Sequence, residues 1–127
     1  MNRYVLDASA VLAVIGREPG ADTVTAVLAE SVVSTVNLAE VHGKLAERGH
    51  TRHDALDEIL SVIDRIVPFT EKQASLTGKL RSTTAHLGLS LGDRACLALA
   101  IDLDAEVYTT DKAWKKLTLP CSIRIIR

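Results

Sequence analysis

Four acidic residues stand where this sequence changes character: Asp7, Glu40, Asp93 and Asp111. The β-biased run Tyr4-Val5-Leu6 stops abruptly at Asp7, and a helix-period run opens at Ala10. Glu40 lies one helical turn beyond the strand-like stretch 31–36, Asp111 follows the strand-like stretch 106–110, and Asp93 opens the helix before that stretch. Each acid alone also fits a helix cap. Asn37 to Glu40 and Ser90 to Asp93 have capping-box spacing, and Asp7 and Asp111 directly precede helical patterns. Brought to one end of a sheet, the four would repel, since two carboxylates about 4 Å apart cost on the order of 4 kcal/mol at an effective dielectric near 20. A cation would have to neutralise them. Carboxylate oxygens are hard ligands that suit Mg²⁺ or Mn²⁺, and no His-Cys set suggests zinc. Such ions keep water and bridge phosphate oxygens, which is the chemistry of metal-assisted phosphodiester cleavage.

The elements that must position these acids alternate along the chain. Strands are predicted near 4–6, 31–36, 66–69, 106–110 and 123–126, and helices over 10–15, 21–29, 38–47, 51–63, 71–86 and 95–103. Thr70 is a candidate N-cap, Gly88 a helix stop, and Trp114 falls in a short turn or helix. The alternation predicts a single α/β domain over residues 1–127, a parallel sheet of about five short strands with helices on both faces and right-handed crossovers. In open α/β sheets ligands bind outside the carboxyl ends of the strands, where the acids would gather. The helix over 51–63 carries Leu56, Ile59, Leu60 and Ile63 at helical spacing, a face for packing on the sheet or for a partner.

Composition narrows the class. Aromatics are 3% of the chain and apolar residues 47%, so Val, Leu, Ile and Ala must fill the core, as helices on a parallel sheet require. Net charge is −1, but the sign changes along the chain: acids outnumber bases 10 to 5 over residues 1–64, and bases outnumber acids 10 to 6 over 65–127. Basic surface on one side suits a polyanionic partner. Asp7 interrupts the early apolar stretch, Gly16 to Pro19 offers no small-residue cleavage site, and no run approaches the roughly 20 apolar residues of a membrane span. The chain therefore reads as cytoplasmic. Cys96 and Cys121, without CxxC spacing, read as reduced core thiols.

The neighbours of the acids are cationic: Lys44 and Arg48 follow Glu40 on one helical face, Arg94 adjoins Asp93, and Lys112, Lys115 and Lys116 follow Asp111. Such a rim attracts phosphates. The motifs VLDASAVLAVI with EPG, STVNLAEVHGKL, LSLGDRACLALA and VYTTDKAWKKL together resemble the PIN-domain ribonucleases, especially the VapC-type toxins of bacterial toxin–antitoxin pairs. The resemblance covers almost the whole chain. It implies that Asp7, Glu40, Asp93 and Asp111 form an acidic quartet that binds Mg²⁺ or Mn²⁺ and cleaves RNA, with Ser9, Asn37 and Thr110 supporting it. It further implies a homodimer held by a cognate VapB-type antitoxin. His42 reads as a surface or packing residue.

Two rival classes remain at this level. A phospho-acceptor receiver domain needs an acid after its third strand, where Val67-Pro68-Phe69-Thr70 supplies none. A PIN-like scaffold that binds RNA or protein without cutting is the other.

Overall fold

Alternation of side chains along three short strands builds the centre of the molecule. The computed structural model describes residues 3–49 and 53–127, with the backbone alone at His53. Strand β1 (Tyr4–Leu6) pairs in parallel with β2 (Ser31–Ser34) on one side and β4 (Glu106–Thr109) on the other. β3 (Arg65–Val67) and β5 (Ile123–Ile125) form the edges, giving a five-stranded parallel sheet in the order β3-β2-β1-β4-β5. Successive residues point to opposite faces. Leu6, Val33 and Tyr108 join one core with α1 (Ala8–Ile15), α3 (Thr35–Glu47) and α4 (His53–Val62). Val5, Val32 and Val107 join the other, with Cys96, Leu97 and Leu99 of α7 (Leu91–Leu103) and with Trp114. This is the expected layered α/β domain.

Crossover order creates a crevice. From β1 the chain steps outward through β2 and β3, then returns to the opposite side of β1 as β4, so the topology reverses between the carboxyl ends of β1 and β4. Asp7 and Asp111 follow those ends.

Several boundaries differ from the sequence pattern. β2 stops at Ser34 and α3 begins at Thr35, because the Ser34 side chain accepts a bond from the Val36 amide (3.2 Å) and caps the helix; the β-branched Thr35 and Val36 look like strand but are helical. β3 ends before Pro68, which has no N–H to give a sheet. The helix expected over 71–86 is α5 (Glu71–Lys79), capped by Thr70, then α6 (Arg81–Thr84) and a 3₁₀ turn closed by left-handed Gly88. The helix expected over 21–29 is α2 (Ala21–Thr25) followed by a 3₁₀ turn. Of the helix expected over 51–63, Thr51 and Arg52 lie outside the described residues. Its apolar stripe is largely spent on the core: Leu56, Ile59 and Ile63 are buried and Leu60 half-buried. Both cysteines are free thiols, Cys96 buried and Cys121 half-buried. Among the described residues no helix is long and apolar enough to cross a membrane.

Leu6 is fully buried while Leu91 is 56% exposed, so their truncations should diverge. Leu6→Ala is expected to cost about 2 to 5 kcal/mol and Leu91→Ala about 0.5 or less, as measured by denaturant unfolding. Equal losses would contradict this assignment of the core.

Candidate active site

At the crevice, β1 delivers Asp7 into a largely dry setting. The residue is 5% exposed, and although it stands at the N-cap of α1 its side chain makes no capping bond. Two hydroxyls hold it instead: Ser9 Oγ donates to Asp7 Oδ2 at 2.7 Å and Thr109 Oγ1 donates to the same oxygen at 2.9 Å. The network runs on through backbone, with the Thr110 amide donating to Ser9 Oγ and the Asp111 amide to Thr109 Oγ1. It thus ties the end of β1 to the end of β4. Burial pushes the Asp7 carboxyl up from 3.8 to about 6; the Ser9 and Thr109 bonds oppose this, and the negative charges of Asp93 and Glu40 add to it.

Glu40 arrives from α3. Asn37, fully buried on the preceding turn, donates from Nδ2 to Glu40 Oε1 (2.8 Å) and to the Gly92 carbonyl at the start of α7 (3.0 Å). Desolvation raises the Glu40 pKa; the Asn37 bond lowers it, the charge of Asp93 raises it, and the Lys44 ammonium lowers it.

Asp93 and Asp111 do two things at once. Asp93 closes the capping box of α7, accepting the Ser90 amide at 2.9 Å while its own amide donates to Ser90 Oγ. Asp111 caps the 3₁₀ segment Lys112–Lys116, accepting the Ala113 amide at 3.0 Å. The capping reading of these two is therefore correct as structure. Even so, both line one pocket of about 360 Å³ together with Asp7, Glu40, Ser9, Lys44 and Thr110. The charges of Asp93 and Glu40 disfavour ionisation of Asp7, and that of Asp93 disfavours ionisation of Glu40; Asp111 lines the same pocket but is not among the charges that perturb either.

One expected position needs correction, and one residue is added. The added residue is Thr109, buried at the end of β4, whose hydroxyl bonds Asp7; Thr110 lies beside the acids, contributing its backbone amide and lining the pocket. The signal for Thr109 was strand parity, since Thr109 and Thr110 face opposite ways. Arg94 is not on a cationic rim. It is 7% exposed beneath α5, and its guanidinium donates to the Thr77 carbonyl at 3.0 Å, because residue 94 turns away from the pocket that Asp93 enters. Of the other expected cations, Lys44 lines the pocket, Lys112 and Lys115 are exposed directly after Asp111, and Arg48 is exposed at the far end of α3.

The donor set fits a hard divalent cation. Among the described residues no three His, Cys, Asp or Glu side chains are drawn up as a ready-made metal cage. The shared pocket and the mutual repulsion in it carry more weight, because Mg²⁺ retains several waters and is usually held by one or two carboxylates plus substrate phosphate. Among the described residues no histidine lines the pocket, and His42 is exposed on α3.

Residues 4–119 match the family model described as the PIN domain. The chain belongs to the PIN domain family. Solved structures similar to this PIN domain include VapBC2 from Rickettsia felis bound to a DNA fragment from its promoter (20% identity, 95% of this chain and 96% of that one, TM-score 0.75). DNA-bound VapBC from Salmonella typhimurium is also similar (16% identity, 98% of each chain, TM-score 0.72), as is a toxin–antitoxin complex from Klebsiella pneumoniae (18% identity, 94% and 99%, TM-score 0.70). At these identities the likeness is one of fold. Among curated proteins no sequence match is found.

The pH dependence of the metal-free protein follows from Asp7. Its folded pKa of about 6 lies above the ordinary 3.8, so the folded state holds the proton more tightly; stability is greatest below 3.8 and falls as pH rises to about 6. The difference corresponds to roughly 3 kcal/mol as an upper figure, at 1.36 kcal/mol per pKa step. In chelator, Asp7→Asn is expected to be more stable than wild type at pH 7.5, with the gain gone near pH 4. A variant less stable at pH 7.5 would show that the carboxylate is a net stabiliser.

Proposed function

We propose that this chain is a metal-dependent endoribonuclease that hydrolyses RNA phosphodiester bonds as the VapC-type toxin of a type II toxin–antitoxin pair, inhibiting translation and growth. The observation that carries this reading is the convergence of Asp7, Glu40, Asp93 and Asp111 on one pocket with Lys44 at the topological switch point of a PIN domain. Like-folded structures are toxin–antitoxin complexes, which supports a VapB-type antitoxin as partner; a homodimer as the working form and a cytoplasmic setting belong to the same proposal.

The four carboxylates would hold Mg²⁺ or Mn²⁺. When bound, such an ion supplies Lewis acidity and an activated water for attack on phosphorus. The protein's own groups do the positioning. Ser9 and Thr109 hold Asp7 by Oδ2, and Asn37 holds Glu40 by Oε1. Lys44, Lys112, Lys115 and, further out, Arg48 offer positive charge to the phosphate backbone.

Replacing any one of Asp7, Glu40, Asp93 or Asp111 by its amide is expected to abolish Mg²⁺- or Mn²⁺-dependent cleavage of structured RNA, and chelation of wild type should do the same. Undiminished cleavage in excess chelator would eliminate the metal mechanism. RNA binding without turnover under saturating metal would leave a catalytically silent RNA-binding module.

A further inference from the structure

We infer that Gly92 is a positioning residue, one whose missing side chain sets where the Glu40 carboxylate stands. The inference rests on the proposed metal site and deepens it. Gly92 is buried in the first turn of α7, where that helix crosses α3. Its backbone does not require glycine, for the glycines with positive φ are Gly20, Gly49 and Gly88. Alanine is the better helix former at such a position. The requirement comes from across the interface: a Cβ built at residue 92 would fall on the Glu40 carboxylate, meeting Oε1, Cδ and Oε2 at once. The carboxylate therefore occupies the volume that any side chain at 92 would take.

Asn37 converts this close approach into a fixed orientation. Its Nδ2 donates both ways, to Glu40 Oε1 and to the Gly92 carbonyl, while its buried Oδ1 has no partner. Flipping the amide would set an oxygen against two oxygens, so the donor orientation is the stable one. The result is a three-residue lock in which α7 backbone, Asn37 amide and Glu40 carboxylate are mutually placed. Asp93, the next residue on α7, shares the pocket with that carboxylate. The spacing of Glu40 from Asp93 is therefore built into the α3–α7 crossing, and residue 92 is its shim.

A bulkier residue 92 must push the Glu40 carboxylate away, because that side chain is the flexible partner. Gly92→Ala is therefore expected to keep the fold, with a metal-free melting temperature no lower than wild type. It should weaken Mn²⁺ binding by about 10- to 100-fold in a calorimetric titration, the usual effect of losing support for a ligand. Non-additivity separates displacement of Glu40 from a general loosening. Glu40→Gln should weaken Mn²⁺ binding in the Gly92 background and add almost nothing in the Gly92→Ala background. Fully additive losses, or wild-type Mn²⁺ affinity in Gly92→Ala, would overturn the inference.

A metal-independent arm keeps this test distinct from that of the proposed function. In metal-free protein the Asn37 side-chain amide protons should exchange slowly in NMR spectra of wild type, and in Gly92→Ala they should shift and lose protection. Unchanged Asn37 signals in the variant would overturn the lock even if wild type binds Mn²⁺. Wild type that neither binds Mn²⁺ nor cleaves RNA, with Asn37 responding as expected, would overturn the metal nuclease reading and leave the lock standing.

Discussion

A carboxylate that is 5% exposed, with a pKa held at about 6 by burial, survives at the tip of a central strand only because its surroundings are arranged for it. Asp7 receives two hydroxyl donors on one oxygen, from Ser9 on its own helix and Thr109 on the neighbouring strand. Those bonds do not cancel the cost of burial, since the net shift is still upward. Glu40 and Asp93 then add like charge rather than relieve it. A fold optimised for stability alone would place an amide or a hydroxyl here. The remaining destabilisation is what a divalent cation would remove, so local strain and proposed activity have a single origin.

The same economy shows in Asp93 and Asp111, where cap and pocket are not competing readings. One Asp93 oxygen closes a capping box and one Asp111 oxygen takes a 3₁₀ amide. These bonds fix the rotamers of both side chains, and fixed rotamers are what a preorganised site needs. A helix start is thus used twice, to end a run of unsatisfied N–H groups and to aim a carboxylate.

Much of this was legible in the sequence because it follows from period and position. Strands ending at acids, crossovers between them and a composition poor in aromatics made the sheet, its layers and the meeting of the four acids predictable. What the sequence hid depends on single-residue parity or on contacts across elements. Thr109 and Thr110 are adjacent, and only the pleat decides which one faces Asp7. Arg94 follows Asp93, yet a step of one residue around a helix carries it from pocket to core, where it bonds the Thr77 carbonyl. Ser34 ends a strand that its β-branched successors seem to prolong, and a side-chain cap is what stops it. Gly92 carries no chemistry of its own, so nothing short of the α3–α7 crossing could mark it.

The central claim is that one pocket, and not the acidic surface at large, takes the cation. Paramagnetic broadening of backbone amide signals by substoichiometric Mn²⁺ tests it most directly. Broadening is expected to centre on Asp7, Glu40, Asp93 and Asp111, reaching Ser9, Asn37 and Thr110 and sparing α4. Broadening centred instead on the exposed acids Asp54, Asp57 and Glu58 of α4, or none at any residue, would contradict it.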